Sequence, residues 1–67
     1  MMASVEWVRA MLADGHAIVR VEASAATCTQ LVESGLLPAA TMLPERLAGR
    51  IIVTTQDGTE YAAVASQ

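Results

Sequence analysis

Arg50-Ile51-Ile52-Val53-Thr54-Thr55-Gln56-Asp57-Gly58-Thr59-Glu60-Tyr61-Ala62-Ala63-Val64-Ala65 is the stretch whose reading decides the fold. Two β-prone runs, 50–55 and 59–65, flank Asp57-Gly58. Asp-Gly between alternating apolar residues predicts a hairpin, because a type I′ turn needs positive φ at both central positions. A two-residue turn pairs Ile51 with Val64, Val53 with Ala62 and Thr55 with Glu60 on one face. It pairs Ile52 with Ala63 and Thr54 with Tyr61 on the other. The first face is the better core face. The second still shows Ile52, Tyr61 and Ala63, which is more apolar than a solvated face requires.

Upstream, His16 to Ala23 alternates. Ala17, Val19, Val21 and Ala23 point one way, and His16, Ile18, Arg20 and Glu22 the other, as in a half-buried strand. Before it, Ser4 reads as an N-cap with Glu6 in the first turn. Val5, Val8, Met11 and Leu12 recur at helical spacing up to Asp14-Gly15, which predicts a helix over 5–13. After it, Ser24 reads as a second N-cap. Ala25, Cys28, Leu31 and Val32 form the stripe of a helix running to Ser34. Gly35 ends that helix, with Leu36 and Leu31 at the apolar positions of a Schellman motif. Between Leu37 and Gly49, Pro38 and Pro44 each suit the start of a helical turn and forbid one continuous helix. Leu36, Leu37, Met42, Leu43 and Leu47 make that segment apolar, so it either packs under the sheet or offers a contact surface. The order is helix, strand, helix, broken helical segment, hairpin. The expectation is a small α+β fold: a three-stranded, mainly antiparallel sheet with helices on one face.

The chain has 67 residues, enough for a single domain over 1–67. A domain of this size buries only about 60% of its unfolded surface, so a partner or a second copy is the expected extra source of stability. One cysteine closes no disulfide within the chain, and one cysteine with one histidine fills no structural metal site. No metal or cofactor is expected. Hydrophobic residues are 54% and charged residues 16%, which excludes intrinsic disorder. Net charge is −3, and the only cations are Arg9, Arg20, Arg46 and Arg50. Four scattered arginines outnumbered by acids argue against direct nucleic-acid binding. Seven acids are too sparse to imitate the phosphate row of DNA. No uncharged run reaches the roughly 20 residues of a membrane-spanning helix. Met1 to Glu6 lacks the basic and apolar regions of a signal peptide, and a lone Cys28 suits a reducing compartment, so a cytoplasmic location is expected.

Candidate chemistry is thin. Cys28 and His16 invite a nucleophile–base dyad, but helix and strand rises leave them on the order of 15 Å apart. Cys28 reads instead as a small core residue. Glu6, Asp14, Glu22, Glu33, Glu45, Asp57 and Glu60 mostly occupy caps, turns and solvated faces, and no glycine-rich phosphate loop is present. No catalytic residue is assigned, and the protein is expected not to be an enzyme. Trp7 and Tyr61 are the only aromatics. Trp7 lies one residue off the helix stripe, beside Met11, where core edge and contact site are both open readings. Met1, Met2, Met11 and Met42 offer an adaptable apolar surface.

The expected function is occupation of another protein's surface, as an inhibitor or adaptor of a larger assembly. The alternative is a small homodimeric structural or accessory subunit. Two patches compete for the contact: the outer hairpin face with Ile52, Thr54, Tyr61 and Ala63, and the helix edge with Trp7 and Met11. The hairpin side is favoured, with Tyr61 and Arg50 as hot-spot types and the last strand open to β-augmentation. A tiny, acidic, Ala-rich α+β chain with no catalytic set resembles the small phage-encoded inhibitors of host systems, the anti-CRISPR proteins among them. The resemblance covers the whole chain and rests on size and composition. It implies a host protein assembly as the target and a steric mechanism, by covering a functional surface or competing for a subunit interface.

Overall fold

Val8 and Met11 on one helix, Leu31 on a second, and Val21, Ala23, Ile51 and Val53 on two strands meet in one core, joined by Leu37. The computed structural model describes residues 3–65. Its elements are α1 (Ser4–Ala13), β1 (Ile18–Ala23), α2 (Ala25–Glu33), a 3-10 turn (Ala39–Thr41), β2 (Met42–Pro44), β3 (Arg50–Thr55) and β4 (Glu60–Val64). The strands form one sheet in the order β2-β1-β3-β4, with β1 parallel to β2 and the other pairs antiparallel. The fold is α+β as expected, but the sheet has four strands and is mixed.

The helix ends follow local chemistry. Ser24 caps α2, its hydroxyl accepting from the Thr27 amide. At the end of α1, Gly15 adopts φ +90°, and the Gly15 and His16 amides return to the Leu12 and Met11 carbonyls. That is a Schellman closure at the predicted glycine. Two details differ. Ala3, not Ser4, holds the N-cap position of α1, and Ser4 is a buried first-turn residue. On α2 the buried positions are Thr27 and Leu31, while Ala25 and Val32 are exposed. The Thr27 hydroxyl accepts from Ser24, so its burial leaves that oxygen partnered.

The segment after Leu37 contains a strand where helical turns were expected. Pro38 precedes a single turn, closed by the Thr41 amide and hydroxyl on the Pro38 carbonyl. Met42 then resumes extended backbone and pairs with Val21, and Pro44 ends β2 against Ala23. Pro44 therefore closes an edge strand instead of opening a helix. Leu37 is core, Leu36 and Met42 pack against it, and Leu43 and Leu47 remain exposed.

The hairpin exists, one register step from expectation. The Gly58 amide bonds to the Thr55 carbonyl and the Thr55 amide to the Thr59 carbonyl, so the loop is 56–58. Within this loop only Gly58 takes positive φ, at +88°. This is a three-residue loop: a turn over Gln56 and Asp57, then a left-handed glycine. Asp57 selects it, because its carboxylate accepts from the Thr55 hydroxyl and the Thr59 amide. The pairs become Ile51 with Ala63, Ile52 with Ala62, Val53 with Tyr61 and Thr54 with Glu60. A one-residue slip turns every β4 side chain to the other face. Tyr61, Ala63 and Ala65 pack toward the core, and Ala62 and Val64 are exposed.

The first strand also departs from strict alternation. Ile18 pairs with Thr55 and Arg20 with Thr54, so Val19 is an extra residue in a β-bulge. Ile18 consequently packs against the core and Val19 is exposed, the reverse of simple alternation.

Candidate functional site

The helices cover the sheet face that carries Val21, Ala23, Ile51 and Val53. The opposite face is built by Leu43 of β2, Arg20 and Glu22 of β1, Arg50, Ile52 and Thr54 of β3, and Glu60, Ala62 and Val64 of β4. Strand register places these residues on one side. Among the described residues no helix covers this side, yet Ile52 is only 4% exposed and Thr54 only 6%.

Arginine side chains provide the cover. Arg46 lies in the loop between β2 and β3. Its guanidinium donates to Glu22 at 2.6 and 3.0 Å and to Glu60 at 2.8 and 3.1 Å. Glu22 belongs to β1 and Glu60 to β4, the two neighbours of β3. A group that holds both must cross β3, and the register puts the crossing at Ile52 and Thr54. Arg20 adds a second cation. It donates to the Thr54 hydroxyl at 3.4 Å and lies 3.5 Å from Glu22 and 3.7 Å from Glu60. Two arginines and two glutamates thus form a balanced array with two hydrogen bonds from one guanidinium to each carboxylate.

The electrostatics follow from that geometry. Hydrogen bonds from Arg46 hold the Glu22 and Glu60 carboxyls below the usual carboxylate range, and the two carboxylates push the Arg46 pKa further up. Strand register puts two exposed apolar side chains on this face beside the array, Leu43 at 44% and Val64 at 55%, and Leu47 in the β2–β3 loop is 54% exposed. The surface is therefore apolar at its rim and charged but neutralised at its centre.

The sequence-predicted contact residues are not one patch. Ile52 and Thr54 lie beneath the arginines, and Arg50 is exposed on the same face. Tyr61 is on the helix side, half-buried, with its ring edge-on to His16 at 5.2 Å between centroids. The one-residue slip of β4 separates it from Ile52 and Thr54. Met11 is a core residue, and Trp7 is half-buried against the core. Met1 and Met2 lie outside the described residues. Sequence reading placed Glu22 and Glu60 on solvated faces and gave Arg46 no role. Opposite charges two apart at Arg20 and Glu22 mark a charged strand face, but no local pattern points to Arg46, which joins it from 24 residues away.

Cys28 and His16 line separate depressions. Cys28 borders a shallow one of about 460 Å³ with Ala23, Ser24, Met42, Leu43 and Pro44. Its thiol is half-buried and donates to the Ala23 carbonyl at 3.5 Å and the Leu43 carbonyl at 3.7 Å. Burial pushes its pKa up, the opposite of an activated nucleophile. His16 borders the other depression, with Gly15, Ala17, Thr55, Gln56 and Asp57. Among the described residues no group of three or more His, Cys, Asp or Glu is placed to hold a metal ion, and no helix is long and apolar enough to cross a membrane. No family model matches the chain, and neither a curated protein nor a solved structure matches it.

Proposed function

We propose that the protein is a small non-catalytic binding module, an inhibitor or adaptor of the anti-CRISPR-like kind, that works in a cytoplasm by occupying the surface of a larger protein assembly. The observation that carries this reading is the helix-free sheet face, with its exposed Leu43 and Val64 beside the Arg20–Glu22–Arg46–Glu60 array. Interfaces combine apolar contact with arginine and exclude unpaired charge. Within the array each carboxylate already has its cation, so covering the centre of the face strands no lone carboxylate. Arg50 and Val64 sit opposite each other at one end of this face. The mechanism is steric: the face covers a functional surface of the larger assembly or competes for a subunit interface.

The test uses cross-linking capture from a bacterial lysate with three proteins: wild type, Leu43→Lys, and Glu33→Lys as a control on exposed α2 surface. The expected result is one species captured by wild type and by Glu33→Lys and lost with Leu43→Lys. Capture that is indifferent to Leu43→Lys and to Val64→Lys overturns the reading.

A further inference from the structure

The two edges of the sheet differ. The β2 edge is three residues long and ends in Pro44. Short edge strands and proline are among the devices that block strand addition. β4 is five residues long and has no proline, no lysine and no bulge. Its backbone is available in a defined pattern. The Thr55 amide bonds to the Thr59 carbonyl, and the Ala65 amide to the Gly49 carbonyl. Antiparallel ladders alternate, so Tyr61 and Ala63 bond inward to β3, and Glu60, Ala62 and Val64 turn their N–H and C=O groups outward. Among the described residues, no backbone hydrogen bond reaches those six groups.

We infer that β4 pairs antiparallel with β4 of a second copy of this chain, across a two-fold axis at Ala62. In that register Ala62 faces its own copy, and Glu60 faces Val64 of the other chain. All three outward residues then exchange bonds in both directions, giving about six hydrogen bonds. The side chains agree on both faces. On the helix-free side no like charges stand opposite each other, and each Glu60 is already paired with its own Arg46 and Arg20. On the helix side Tyr61 falls opposite Ala63 of the other chain, large against small, twice. A centre at Glu60 instead puts two carboxylates face to face. A centre at Tyr61 uses a residue whose groups already bond inward. The strand is thus complementary to itself in the one register that uses all its free groups, and the product is a continuous eight-stranded sheet with one helix-free face. Interfaces of this type are closed and isologous. The contact is small, so a dimer in the micromolar range is expected.

Sedimentation equilibrium from about 10 µM to about 1 mM reads the association. Residue-resolved amide exchange at both ends of that range reads the register. The Glu60, Ala62 and Val64 amides become protected as concentration rises, and those of Tyr61 and Ala63 stay protected throughout. Ala62→Lys adds an edge charge that meets its copy at the axis. Ala62→Pro removes one outward N–H and no bond to β3. Each should weaken association by about tenfold or more. A chain that stays monomeric with exposed edge amides overturns the inference and leaves the edge to an extended peptide from another protein. So does a dimer that keeps those amides exposed, or one that survives Ala62→Lys in a variant melting like wild type. If both variants fail to fold, amide exchange in the wild-type protein decides the matter.

Discussion

Gly58 and Asp57 are the positions where small perturbations test the hairpin: positive φ at Gly58, and the choice between two loop geometries at Asp57. Gly58 sits at φ +88°, and a Cβ built there meets no heavy atom within 4 Å. A Cβ there meets no steric conflict, so the cost of Gly58→Ala is backbone strain. An L-residue forced into the left-handed region costs about 1–2 kcal/mol, and a β-branched residue lies at or above the upper end. A domain of this length has roughly 3–10 kcal/mol of total stability. Each kcal/mol moves the melting temperature of a small domain by about 4–8 °C. Gly58→Ala should then lower Tm by about 4–16 °C, and Gly58→Val by more. Gly58→Asn should lose less than Gly58→Ala, since asparagine tolerates this conformation. Circular dichroism melts of the three variants give the ordering. Asp57→Gly supplies the sign that distinguishes the loops. In a two-residue turn Asp57 needs positive φ, and glycine there relieves strain and raises Tm. In the observed loop glycines are the only residues with positive φ, and the Asp57 carboxylate holds Thr55 and Thr59, so glycine lowers Tm. A Gly58→Val protein that melts with wild type, or an Asp57→Gly protein that melts higher, refutes the three-residue loop and the β4 register built on it.

Tyr61→Ala should cost about 1.5–2.5 kcal/mol in urea unfolding, roughly half the loss for a fully buried aromatic; a loss below about 0.5 kcal/mol places Tyr61 on the solvated face instead. Cys28 should react slowly with a thiol reagent in the folded protein, and Cys28→Ala should cost about 1 kcal/mol; rapid native labelling contradicts the raised pKa and the hydrogen bonds to Ala23 and Leu43. Glu22 and Glu60 have pKa values lowered on folding, chiefly by hydrogen bonds from Arg46, so the unfolded chain binds more protons in acid. Their contribution is present at neutral pH and is lost as pH falls through the usual carboxylate range toward the depressed folded values. Arg46→Met should flatten the acid slope of the urea midpoint, leaving the smaller part that Arg20 supports at Glu22 and Glu60 and the part due to Asp57, whose carboxyl is lowered by Thr55 and Thr59; parallel slopes in variant and wild type show that Arg46 does not hold the carboxylates.

Features set within a few residues were legible in the sequence. Ser24 before a helical stripe, Gly15 after one, and Asp57-Gly58 between two β runs each name a local backbone state whose hydrogen bonds close within four or five residues. The α+β class follows from their order. What required the folded chain was every choice between locally equivalent states. Asp57-Gly58 satisfies a loop of two residues or of three. The side-chain bonds of Asp57 select the longer one, and that choice sends Tyr61 to the helix side and Val64 to the open side. Val19 reads as an inward residue by alternation, and only pairing with β3 reveals the bulge that exposes it. Met42–Pro44 is too short to show a period of its own and is a strand because β1 lies beside it. The candidate surface was the least legible. Arg46 meets Glu22 and Glu60 across 24 and 14 residues of chain, and no local pattern encodes a contact between a loop and two strands. Local hydrogen bonding determines where elements begin and end; long-range packing and ion pairing determine which face each side chain serves.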